Sequence, residues 1–334
     1  MEKQIEIMTW LAQGRIAAGR EQEAFKLAGW YPDANQWRRF IDQLMLWMGA
    51  IALGASLIFF LAYNWQAIGR YAKFALVEGA ILISLLAGWR FSAQQGLGSM
   101  ASKACLLLAT LFLGALLALV GQTYQTGADT YELFLVWALA ATAWVFVAQL
   151  GAMYLLWLGL INLTIVLYFQ TFGGLFGFFF NWNAQLWVLL IWNTLALIAW
   201  EFAAWRGVQH LQTRWEVRVL GTLSGVVIST LALDAIFNGS NAGLNRNLSS
   251  RIASVLCYGV WMLTVMWMYR RHLKDLYMLA GTILSLIVVG NAVLAKQFLH
   301  HSEAGGFLLV GLTIIASSAA GGIWLKRIAK EIQS

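Results

Sequence analysis

The stretch Leu44–Ala62, LMLWMGAIALGASLIFFLA, decides the fold class. It carries no charged residue, and its length suits a helix crossing a hydrocarbon core about 30 Å thick. Strict alternation of apolar and polar residues is missing, which argues against a β-barrel strand. Backbone groups in lipid must bond internally, so the run is read as a helix. Nine further runs share the pattern: Ala72–Trp89, Ala104–Val120, Glu132–Ala148, Ala152–Phe169, Gln185–Trp205, Val219–Ile236, Ile252–Tyr269, Leu276–Leu294 and Phe307–Leu325. Hydrophobic residues make up 60% of the 334 positions and charged residues only 11%. A soluble domain carries about a quarter charged residues and could not cover its surface with so few. Disordered and disulfide-built classes fall on the same count. The reading is an all-α, polytopic transmembrane bundle of about ten spans.

Lys and Arg set the orientation. With the N-terminus in the cytoplasm, all 22 basic residues except Arg70, Lys73, Arg246, Arg251 and Lys296 fall in inside segments. Both termini are therefore expected on the cytoplasmic side of the membrane. The net charge of +7 follows from this bias and is no nucleic-acid footprint, because the basic groups are spread over short loops. One region governs the count. A re-entrant Leu175–Ala184 would change the parity of the spans.

Residues 1–43 hold no apolar run of signal-peptide length and read as a cytoplasmic helical hairpin. One helix runs through Ile5, Trp10 and Leu11, a turn lies near Gly14–Gly19, and a second helix covers Arg20–Ala28. This segment is either a cap on the bundle or a docking site for a partner protein. The bundle spans 44–325, and 326–334 is a basic cytoplasmic tail. The only proline, Pro32, lies outside every span. Cys105 and Cys257 are expected at opposite membrane depths, which excludes a disulfide or a shared metal.

Polar residues within spans are costly and so mark sites by default. Glu78, about two turns into the second span, is the expected buried titrating group. Asn162 and Asn193 lie mid-span, where interhelical hydrogen bonding is the simplest role. Asp234 and Asn291 lie near outer span ends, and Glu201 is expected to reach the inner interface. The outer turn GQTYQTGADTYE, Gly121–Glu132, holds Gln122, Tyr124, Gln125, Asp129 and Glu132. Asp129 and Glu132 have capping-box spacing. With Asn64 after the first span, these residues suggest a polar cavity open to the outer side of the membrane. His300, His301 and Glu303 read as a solvated loop, and His272–Asp275 as part of the positive-inside signal. No metal site, cofactor fingerprint, phosphate loop or nucleophile elbow is present in the sequence, so an enzyme is the less favoured reading.

FFLAYNWQAIGRYAKF (Phe59–Phe74), GQTYQTGADTYELFLVWAL (Gly121–Leu139) and the hairpin WLAQGRIAAGREQEAFKL together resemble an uncharacterised bacterial membrane-protein family, domain of unknown function 2157. The resemblance is best over the first 150 residues or so and implies an inner-membrane setting, with no activity or functional residue to carry over. Two functions remain open on the sequence. One is a small-solute or cation transporter built on the periplasmic cavity. The other is a non-transporting scaffold, sensor or complex subunit that meets its partner through the N-terminal hairpin.

Overall fold

The computed structural model describes residues 9–11, 13–17, 19–27, 33–96, 99–125, 127–172, 182–237, 244–299 and 303–333. These form helices α1 (Glu21–Leu27), α2 (Ala34–Tyr63), α3 (Arg70–Gln95), α4 (Met100–Tyr124), α5 (Thr130–Ala148), α6 (Gly151–Phe172), α7 (Trp182–Trp205), α8 (Arg214–Phe237), α9 (Leu244–Arg271), α10 (Leu276–Leu299) and α11 (Glu303–Gln333). A 3₁₀ turn, Gln209–Leu211, sits between α7 and α8. Ten helices, α2 to α11, are long and apolar enough to cross a membrane. Each predicted span lies inside one of them. Residues 175–181 of the re-entrant segment, together with Ile5, Pro32, His300 and His301, lie outside the described residues.

The chain divides into two compact units, Met1–Thr126 and Gly127–Ser334. In the first, α2 begins at Asp33, whose side chain and that of Gln36 form a capping box. The helix then runs 30 residues, about 45 Å at 1.5 Å per residue, straight through position 43 into the first span. Before it, Gly14 and Gly19 take φ of +64° and +90°, a region open to glycine, and give the turn ahead of α1. α3 and α4 pack as a close pair: Ser102 Oγ donates to the Gly88 carbonyl at 3.0 Å. Leu61, Val77 and Leu119 form the core where α2, α3 and α4 meet.

The second unit holds α5 to α11. α5 and α6 form a hairpin in which Trp157 Nε1 donates to the Ala138 carbonyl (3.0 Å) and to Thr142 Oγ1 (3.1 Å). α8 is central and packs against α7, α9 and α10. Its inward residues Val217, Leu220, Ile228 and Leu231 are almost wholly removed from solvent. Close approach needs small residues. A methyl group on Gly221 would collide with the end of Met278 on α10, and one on Gly321 of α11 would lie 2.7 Å from Ile283. α11 runs through residue 326 to Gln333, so the basic tail continues the last helix. Large apolar side chains such as Phe307, Leu308 and Ile315 cover its outer face, as a surface bathed in lipid requires.

Candidate functional site

In the first unit, Asn64 ends α2, and its side-chain amide donates to the Phe60 carbonyl at 2.9 Å. Lys73, counted from sequence among the outer basic residues, is buried within α3, with Nζ 3.5 Å above the Trp65 ring centroid. A cation–π contact of this kind replaces part of the lost hydration. Tyr124, exposed near the end of α4, lies beside Phe74 and Arg70. Gln122 and Gln125 are exposed, the latter in the left-handed region with φ of 45°. Glu78 is two turns into α3 but on its exposed face, because Val77 takes the neighbouring core position. Its carboxyl bonds to no described residue.

In the second unit, Asp129 occupies the N-cap position of α5, but its side chain makes no capping bond. The expected capping box is therefore not formed. Glu132 instead accepts from the Tyr131 hydroxyl at 3.4 Å, and the Tyr131 ring packs edge-on against Tyr168. Asn162 and Asn193 bind each other reciprocally: Asn162 Nδ2 donates to Asn193 Oδ1 at 3.1 Å, and Asn193 Nδ2 to Asn162 Oδ1 at 2.6 Å. This clamps α6 to α7 at mid-span. Asn291 on α10 accepts from Thr313 Oγ1 and donates to Ser317 Oγ, both on α11. Asp234 lies in the last turn of α8. That turn is capped by Arg251 Nε on the Ala235 carbonyl and Lys296 Nζ on the Ile236 carbonyl. Cations at a helix C-terminus satisfy orphan carbonyls and the macrodipole. Two of the basic residues that depart from the orientation rule thus have a local structural reason.

The largest charged constellation among the described residues was not legible as such in the sequence. Glu201 does not merely reach an interface; it is buried between α7 and α9. It receives two bonds from Arg214 Nη1, at 3.0 and 3.2 Å, and one from the Tyr269 hydroxyl at 2.7 Å. Asp275 is likewise no simple loop charge. It is buried at the start of α10, where its Oδ1 accepts the Tyr277 backbone N–H at 3.0 Å. Its Oδ2 lies 3.2 Å from Arg218 Nε and 3.5 Å from Arg214 Nε. Two guanidinium groups and two carboxylates thus join α7, α8, α9 and α10 at one end of the unit. Isolated charges there would cost several kcal/mol each to desolvate, so pairing is obligatory. The network is not closed, however. Arg214 Nη2 is buried with no protein partner. So is one carboxylate oxygen of Glu216, whose other oxygen accepts from Thr213 at 2.7 Å. The Glu216 carboxylate rests against Gly151 at the start of α6. Two signals were available in the sequence. Thr213-Arg-Trp-Glu216 has capping-box spacing, and Asp275 directly precedes an apolar run.

A furrow of about 480 Å³ runs from this network between α8, α9 and α10. Gly221, Gly225 and Gly281 make room for it. At its network end the Thr222 and Tyr277 hydroxyls lie 3.1 Å apart on exposed side chains, and the Arg218 guanidinium stands over the Tyr277 ring. Deeper in, Ser285 Oγ lies 2.7 Å from Ser229 Oγ and 3.0 Å from the Tyr258 hydroxyl. Ser229 is near the middle of α8, so this hydroxyl triad lies about halfway along the apolar helices. Exposed Val226, Leu284 and Val288 leave the furrow open to the side.

Ten apolar helices with buried ionic pairs and a lipid-compatible surface define a multi-pass α-helical membrane protein. Residues 8–154 match the model of the family described as "Predicted membrane protein", domain of unknown function 2157. No curated protein and no solved structure matches the chain. The family match ends just inside α6, so the charge network and the furrow lie in the part of the chain beyond it.

Proposed function

We propose that the chain is an inner-membrane transporter for a small amphipathic solute, with the α8–α10 furrow as its binding site and the charge network as its gate. One observation carries this reading: a hydroxyl-bearing cavity halfway along the apolar helices ends at two side-chain contacts, Thr222–Tyr277 and Arg218–Asp275. Its volume of about 480 Å³ is in the range of small-molecule sites. Opening Arg218–Asp275 and Thr222–Tyr277 would need rotamer changes and no unwinding of a helix. The lateral opening suits a solute that partitions into lipid, and the Ser229 and Ser285 hydroxyls suit one polar group on it. With both termini cytoplasmic, as Lys and Arg favour, the gate faces the cytoplasm. The rival reading, a subunit that docks a partner through residues 1–43, draws on the exposed Trp37 and Phe40 ahead of the first predicted span.

The test places a single cysteine at Ser229 in a chain freed of Cys105 and Cys257. A membrane-impermeant maleimide is then applied from each face. Reaction from both faces, faster from the gate side in Asp275→Asn, is the expected result. Labelling from one face only, or from neither, would refute transport through the furrow.

A further inference from the structure

α11 meets the core of the second unit only near its C-terminal end. Ile328 is buried there, with Trp324, Leu325 and Ile332 packed around the same cluster. Over the rest of its length it lies against α10. This leaves a second trough between α9, α10 and α11, of about 820 Å³. Its walls are Ile283, Leu286, Ile287 and Leu294, with Gly290 and Gly321 giving depth. The polar groups in its lining, Asn291, Thr313 and Ser317, bond to one another and to their own helices. A guest in the trough therefore meets hydrocarbon and saturated polar atoms. From Ile283 to Leu294 the trough is about 17 Å long at 1.5 Å per residue, about one leaflet of a core roughly 30 Å thick.

The mouth differs in chemistry. Arg270, at the end of α9, is exposed and holds its guanidinium 5.7 Å from the Trp324 ring centroid. It makes no ion pair or hydrogen bond with a described residue. Its N–H fork is free for an anion, and a guanidinium matches a phosphate bidentately. Arg271, Lys274, Lys326 and Arg327 follow closely in the sequence on these helix ends and raise the local positive potential. Trp324 is the kind of ring that settles at headgroup level.

We propose that this trough is a binding site for one anionic phospholipid, with its phosphate on Arg270 and an acyl chain along α10 and α11. The charge at the mouth and the apolar length behind it select this occupant. The site is separate from the furrow and does not depend on transport.

The test uses the full chain reconstituted in equimolar phosphatidylglycerol and phosphatidylcholine, then released for native mass spectrometry. One phosphatidylglycerol per chain is expected, retained about tenfold over phosphatidylcholine, the order of one charge-assisted contact. Arg270→Gln should abolish the preference, and Gly290→Trp should expel lipid of either kind. Retention unchanged in Arg270→Gln would overturn the proposal. So would displacement by inorganic phosphate alone, or cross-linking of Leu286→Cys to a second copy or to residues 1–126 in place of lipid.

Discussion

Replacing Asn162 by Leu should destabilise the second unit, and replacing Asn193 as well should restore most of the loss. The two amides exchange bonds of 3.1 and 2.6 Å, so either single substitution removes both. Interhelical hydrogen bonds in membranes average about 0.6 kcal/mol and reach about 1.7, so two are worth roughly 1–3 kcal/mol. The survivor is then left worse than free. Asn193 is only 1% exposed, so no water can replace the lost donor to its Oδ1, and the cost belongs at the upper end of that range. In the double variant the same two bonds are gone, but no amide is orphaned and two leucines fill an apolar seam. Its net loss should be within about 1 kcal/mol, giving a coupling energy on the order of 2 kcal/mol or more. Equilibrium unfolding in mixed micelles with increasing dodecyl sulfate, followed by tryptophan fluorescence, measures all three variants. Single variants that match wild type, or a double variant whose loss equals the sum of the singles, would refute the reciprocal clamp.

Two further outcomes test the charged end of the same unit. Glu201→Gln should cost about 2–4 kcal/mol in that unfolding assay, below the 3–5 of a fully buried pair because Arg214 is 32% exposed; an unchanged midpoint would mean the network carries no stability. Gly151→Ala would drive a methyl group into the Glu216 carboxylate and should cost about 1–3 kcal/mol. Gly159→Ala on the same helix meets nothing within 4 Å and should be neutral or slightly stabilising, so equal losses at the two sites would sink the argument.

The candidate sites were legible to different degrees. Asn162 and Asn193 were readable because an amide in mid-span has few alternatives to an interhelical partner. Asn291 was readable as polar and deep, but not as the neighbour of Thr313 and Ser317. Glu201 and Asp275 were misread for a common reason. A charge near a span end looks the same in sequence whether it snorkels to water or turns inward to meet a guanidinium. The Gly121–Glu132 turn shows the converse. Its spacing suggested a capping box, yet the Asp129 side chain leaves the helix start unbonded and Glu132 goes to Tyr131.

By itself the sequence determined the class of protein and its ten helices. The cost of moving a backbone group or a charge into hydrocarbon is paid residue by residue, and it sums along the chain without reference to any other segment. Which polar groups meet was decided only by the tertiary structure. Arg218 and Asp275 are 57 residues apart and belong to different helices. Their pairing depends on how α8 and α10 are rotated and how closely Gly221 lets them approach. Hydropathy is blind to helix rotation, so the charge network, the furrow and the trough emerge only once the helices are packed.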